Sequence, residues 1–215
     1  MNTKKITFAL LVLVTSFGFA QTASKTSSTD FREDLRFGLK AGFNYSNVYD
    51  KEGQDFVADS KFGFAGGAFV SIPLGKFIGI QPEFIYSQKG FKGSGNVLGF
   101  GYNYERTQDF LDIPILFQIK PIKEISFVVG PQFSYLLKTK NTFNNSTSTS
   151  QEDAINSENY KKNIYGFVVG ADFNIEPVVI SLRGGWDISK SNEDGNSSNP
   201  RYKNQLLQLT VGFAF

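Results

Sequence analysis

Residues 35–47, LRFGLKAGFNYSN, decide the fold. Taken two at a time, they place Leu35, Phe37, Leu39, Ala41, Phe43 and Tyr45 on one side. Arg36, Gly38, Lys40, Gly42, Asn44 and Ser46 fall on the other. A period of two puts these sets on opposite faces of a β-strand. The apolar face must cover either the core of a soluble protein or lipid.

The same alternation recurs seven more times. Its apolar sets run Phe62 to Ile72, Ile78 to Tyr86, Leu111 to Ile119, Ile125 to Leu137, Tyr165 to Ile175, Val178 to Ile188 and Leu207 to Phe215. About eight strands result, an even number as in single-chain bacterial barrels. Connections alternate in length. Long polar stretches at 47–60, 90–101, 139–163 and 190–202 are read as loops, and residues 73–76, 120–124 and 176–177 as tight turns. That rhythm predicts an all-β, eight-stranded antiparallel up-and-down transmembrane β-barrel, with long loops on one rim and short turns on the other.

A lipid-facing surface makes a strict demand. One charge near mid-bilayer costs about 2–4 kcal/mol, so the outward set must lack Asp, Glu, Lys and Arg. None occurs in the apolar sets, whereas the opposite faces carry Lys40, Glu83, Asp112, Asp172, Arg183 and Asp187 among Gly, Ser and Gln. A soluble sandwich would invert this arrangement. Tyr45, Tyr86, Tyr135, Tyr165 and Trp186 gather towards the long loops, and Phe37, Phe77, Phe117, Phe173 and Phe215 towards the turns, as interfacial girdles do. Pro82, Pro114 and Pro131 fall within strands and are expected to mark local bulges or kinks. Tyr102 and Tyr104 break the parity of Leu111 and its followers. A bulge near Phe110, or a strand rising above the membrane, would account for them.

Composition excludes several classes. The chain has 215 residues, no His and no Cys, so thiol and imidazole chemistry and the usual zinc sites are absent. No metal or cofactor is expected. A net charge of +2 gives no electrostatic support for nucleic acid as a partner. Residues 1–20 read as a secretory signal peptide, with Lys4 and Lys5 ahead of an apolar run and small residues at Gly18 and Ala20. Residues 21–34 are expected to be a flexible periplasmic lead-in, and residues 35–215 the barrel domain. Residues 141–159, polar and of low complexity, are expected to be disordered.

Three sets of side chains stand out. Lys40, Glu83, Asp112 and Arg183 lie on inward faces and are expected to form a polar network across the lumen, since unpaired buried charge is expensive. Lys61, Lys89, Lys92, Lys138, Lys140, Lys161, Lys162, Arg201 and Lys203 are expected at the long-loop rim, where they could meet lipopolysaccharide phosphates. Leu209, Val211, Phe213 and the terminal Phe215 alternate as a recognition signal for the barrel-assembly machinery would. No catalysis is expected: no His can activate a Ser, and pairing Asp109 or Glu105 with Asp112 makes a weak acid pair.

The stretches IQPEFIYSQKG (80–90), FLDIPILFQIK (110–120) and VVGPQFSYLL (128–137), followed by the final Phe215, resemble the PorT-like family of outer-membrane β-barrel proteins from Bacteroidota, in that family's own order. The resemblance covers essentially the whole chain after the signal. It implies the fold and the outer-membrane location, and it makes the in-strand prolines a shared feature. A few family members resemble components of secretion across the outer membrane. The expectation is a structural or interaction role in the outer membrane, with a small-solute channel or a secretion accessory as alternatives.

Overall fold

The computed structural model describes residues 30–52, 57–97, 100–145, 148–153, 161–191 and 201–215. The expected signal peptide and most of the lead-in lie outside them. Residues Arg32–Phe215 form one compact unit. Among the described residues, nine strands follow a 3-10 turn at Phe31–Glu33: β1 (Arg36–Glu52), β2 (Val57–Pro73), β3 (Ile78–Val97), β4 (Phe100–Ile119), β5 (Ile125–Asn145), β6 (Ser148–Asp153), β7 (Asn163–Ile175), β8 (Val178–Asp187) and β9 (Arg201–Ala214). All pairings are antiparallel. β4 pairs with β5 and β1 with β9, so eight strands close a barrel, and β6 folds back on the top of β5 outside that ring.

The outward face is the apolar one. Phe37, Leu39, Phe43 and Tyr45 on β1 and Leu207, Leu209, Val211 and Phe213 on β9 are exposed, while Arg36, Lys40, Asn44, Gln208 and Thr210 between them are buried. Outward aromatics meet across strands, with Tyr45 and Phe62 centroids 4.9 Å apart and Phe133 and Tyr165 5.7 Å apart. At ~3.3 Å per residue and a tilt near 40°, the outward residues from Leu111 to Ile119 cover ~20 Å of height, close to the apolar band of an outer-membrane barrel. A charge placed in that band tests it. Ile115→Arg is expected to cost about 2–4 kcal/mol in urea unfolding from lipid, and Ile119→Arg at the band's edge about 0–1 kcal/mol. Equal costs at the two depths would mean that the belt does not face hydrocarbon.

Three register shifts occur within the barrel pairings: between Tyr49 and Glu52 on β1, Ser60 and Ala65 on β2, and Asp109 and Phe110 on β4. All lie towards the long-loop end. Opposite the last, the extra residue belongs to β5, whose inward side switches from Leu136 to Thr139. β4 itself keeps one alternation from Glu105 to Ile119, so the expected bulge near Phe110 falls on its neighbour and does not change the parity of β4, whereas the expected rise is met: the strand starts as high as Phe100. Of the two expectations for the prolines, the bulge does not occur. Pairing is interrupted beside Pro82, Pro114 and Pro131, yet the register is the same on either side of each. Each missing N–H removes a ladder bond without inserting a residue.

The expected long loops are shorter than their polarity suggested. β1 runs to Glu52, β2 starts at Val57, and β3 and β4 pair up to Val97 and Phe100. Part of the stretch expected to be disordered is strand, since β5 reaches Asn145 and Asn141–Phe143 pair with Gln151–Asp153 of β6. Above the membrane the outer face of a strand meets water instead of lipid, so ladders persist where apolar alternation stops.

Close backbone approach explains two glycines. A Cβ at Gly67 would stand 1.9 Å from the carbonyl oxygen of Phe84, and one at Gly170 2.2 Å from that of Leu182. Eight tilted strands coil tightly around a narrow lumen, and only glycine fits where neighbouring backbones press inward.

Candidate functional site

The lumen is where most of the chemistry is concentrated. It holds polar clusters separated by apolar layers. Phe69, Val179 and Ala214 pack near the short-turn end; Leu116, Val128 and Val168 sit higher; Phe110, Leu136 and Ile164 higher again; Val48, Phe91 and Tyr202 fill the top. These inward apolar side chains were not anticipated from a lumen expected to hold glycine and polar groups.

The lower cluster centres on Glu83. Its Oε2 accepts from Lys40 Nζ at 2.6 Å and its Oε1 from Arg183 Nη2 at 3.2 Å and Gln81 Nε2 at 2.7 Å. Arg183 Nη2 also reaches Asp172 Oδ1 at 2.7 Å, and Ser181 donates to the same carboxylate. Two cations therefore face two carboxylates, and all four groups are buried. A polar chain descends from this cluster: Gln118 donates to Gln81, Ser71 to Gln118 at 2.8 Å, and Lys120 to Ser71 at 3.4 Å.

Asp112 does not join Glu83. It belongs to a second cluster, where Lys89 Nζ lies 3.0 Å from Asp112 and 3.9 Å from Asp187, and over the Phe110 ring at 4.7 Å. Asn204 donates to Asp187 at 2.8 Å. Lys89, expected at the long-loop rim, is thus inside the barrel, 1% exposed. It shares the parity of Glu83, and β3 continues eight residues beyond it to Val97, which puts it below the rim. At the top, Arg106 donates to Asn141 at 2.9 Å and stacks 5.7 Å from the rings of both Phe91 and Tyr202. Tyr202 in turn donates to Gln108 at 2.9 Å. Asp172, Asp187, Arg106, Gln81 and Gln118 complete these clusters. Strand parity marked all of them but Arg106 as inward, since Tyr102 and Tyr104 suggested the opposite face for it; only three-dimensional packing shows who meets whom.

A cavity of about 10 Å³ lies among Glu83, Asp112, Gln132, Arg183 and Gln208, between the two charged clusters. That is the scale of one water molecule.

The remaining rim lysines are spread out. Lys92 and Lys138 are exposed on the outward faces of β3 and β5. Lys61 is hydrogen-bonded to Thr107 and pairs with Glu105 at 2.8 Å. Lys161 and Lys162 precede β7, and Lys203 Nζ stands 5.8 Å over the Tyr49 ring. The side chain of Arg201 lies outside the described residues; its backbone pairs with Glu52. Leu209, Val211, Phe213 and Phe215 are all exposed on the barrel's outer wall. Both edges of β9 are occupied, by β1 and β8, so that strand offers an edge to a partner only before closure.

The short-turn end is crossed by the chain itself. Arg32 Nη1 donates to Pro121 O at 3.1 Å, Lys120 Nζ donates back to Arg32 O at 3.2 Å, and the Arg32 guanidinium lies 5.3 Å from the Phe77 ring centroid. The last residues of the expected lead-in are therefore fixed. They run from β1 to the turn after β4.

The family model described as "Outer membrane protein beta-barrel domain" matches residues 19–193. The chain belongs to that family. Its place is accordingly the bacterial outer membrane, which this barrel crosses with strands. Among solved structures, the barrel is similar to Ail, the attachment invasion locus protein of Yersinia pestis, at 13% identity and a TM-score of 0.47 over 84% of this chain and 99% of that one. It is also similar to OprG from Pseudomonas aeruginosa, at 12% identity and 0.45 over 84% and 96%. Neisserial surface protein A follows at 10% and 0.44 over 83% and 97%. Comparison with curated proteins gives no match.

Proposed function

We propose that this barrel is a closed scaffold of the outer membrane, which presents its long-loop end to partners and passes no solute through its lumen. The orientation puts the short turns and the Arg32 crossing in the periplasm and the β5–β6 hairpin outside, following the usual asymmetry of such barrels. One observation carries the reading. Among the described residues, ion pairs and apolar layers alternate along the lumen, and the cavity between the two charged clusters has a volume of about 10 Å³. Catalysis is not part of the proposal, because the chain has no His or Cys and the central carboxylates are bound to cations. The Gln81-Pro82-Glu83, Leu111-Asp112-Ile113-Pro114 and Gly130-Pro131 stretches support a PorT-like reading within that family.

Conductance tests the scaffold directly. The purified chain in planar bilayers is expected to give no steady current above the bare membrane. A reproducible open level, abolished by denaturing the barrel, would favour the small-solute channel instead. Co-purification of secretion components from native membranes would favour the accessory role.

A further inference from the structure

Arg183 has one donor left over at the centre of the lumen. Its Nη1 donates to the carbonyl oxygens of Ala171 and Leu182 at 3.0 and 3.2 Å, and its Nη2 to Asp172 and Glu83 at 2.7 and 3.2 Å. Its Nε is buried and has no hydrogen-bond partner among the described residues. A buried donor left without an acceptor loses its hydration for nothing, and a charged group loses most. Arg183 also lines the cavity of about 10 Å³ between the two charged clusters.

Gly185 lines the same cavity from the same inward face of β8. Close backbone approach does not account for this glycine. A Cβ at Gly67 or Gly170 would run into a neighbouring carbonyl oxygen, whereas the three atoms nearest to one at Gly185 all belong to the Leu206 side chain, the first at 3.3 Å. What the missing side chain leaves is room in the cavity that Arg183 lines.

We propose that this cavity is a binding site for one water molecule, which accepts from Arg183 Nε–H and donates to acceptors on the facing walls. The volume suits a single water and nothing larger. Charge selects water over an ion. The Glu83 and Asp112 carboxylates line the site and repel an anion, while the guanidinium repels a cation. A neutral molecule that both accepts and donates meets neither objection. Gln132 and Gln208 use their amide nitrogens on Ser134 at 3.1 Å and Asn44 at 2.9 Å, so what they offer a water's protons is their oxygens. Seated there, the water joins the lower cluster, through Arg183, to the upper one, through Asp112, and makes them one network. The site stands apart from the scaffold reading, because a barrel that conducts has the same donor to satisfy.

Two measurements test it. The full mature chain, carrying isotope-labelled arginine and reconstituted in lipid bilayers, is read by solid-state NMR for magnetisation transfer from water protons to side-chain Nε–H groups. A cross-peak from bound water to Arg183 Nε–H is expected at short mixing times. Its absence, with the Arg183 resonance itself visible, would overturn the proposal. The second measurement compares Gly185→Ala with Gly185→Ser by urea unfolding, each shown to be folded by heat-modifiability on gels. Both add the same Cβ against Leu206, so crowding there cancels between them. The alanine methyl displaces the water and strands Nε, whereas the serine Oγ takes the water's place. The cross-peak is therefore expected to vanish in Gly185→Ala, and Gly185→Ser to unfold at the higher urea midpoint. A serine variant no more stable than the alanine one, as in a dry cavity where a hydroxyl only adds desolvation, would sink the site; so would a cross-peak that survives the alanine methyl. If either variant fails to fold, the wild-type spectrum still decides. A steady current through the wild type alongside the Arg183 cross-peak would count against the scaffold reading alone.

Discussion

Glu83→Gln is expected to lower the unfolding free energy by about 3–5 kcal/mol, measured as a shift in the urea midpoint of the lipid-embedded barrel. The substitution keeps the shape of the side chain and removes its charge. Lys40 and Arg183 then share Asp172 alone, in a lumen where neither is exposed. The cost arises from that uncompensated cation rather than from the lost attraction, because a complete buried ion network adds little net stability. A second variant isolates the cause. Lys40→Met/Glu83→Gln restores one cation against one carboxylate and is expected to recover most of the loss. If the double variant is as unstable as the single one, the penalty lies in packing and the electrostatic account fails. A conductance appearing in Glu83→Gln without loss of stability would instead make the network a gate.

Lys89→Met is expected to cost a similar ~3–5 kcal/mol, because it leaves Asp112 and Asp187 facing each other with no cation between them. Lys92→Met, three residues on, is expected to change stability by no more than about 1 kcal/mol, as exposed charges do. The contrast decides between a lumen and a rim position for Lys89. Equal and small effects would place it at the surface.

Those two lysines show what was legible in the sequence. Face is written in parity: Lys89 falls on the side of Glu83 and Ser87, and Lys92 on the side of Phe84 and Tyr86. Height is not. The polar run after Gly90 reads as loop, yet β3 continues to Val97, and this lowers Lys89 from the rim into the barrel. Strand existence, strand count and the lipid-facing set were legible because hydrocarbon tolerates no charge, which makes the alternation strict. Inward positions face side chains of every kind and obey no such rule. Phe91, Phe110 and Leu136 could therefore sit there without a signal. The partners of Glu83 were partly legible: Lys40 and Arg183 share its depth, but Asp112 is taken by a lysine on the neighbouring strand. Through most of the apolar band the register is regular; the shifts cluster at its long-loop edge and above, where water relaxes the demand for strict alternation.

The Arg32 crossing has a mechanical consequence. Four residues reach at most about 14 Å, and they connect the foot of β1 to the foot of β4, three hairpin steps away in the sheet. Three strand spacings of about 4.8 Å span a similar width, so the crossing is a short tether that stops the feet of the four strands from spreading apart. It shares none of the β1–β9 hydrogen bonds, and opening that seam would leave the tether in place.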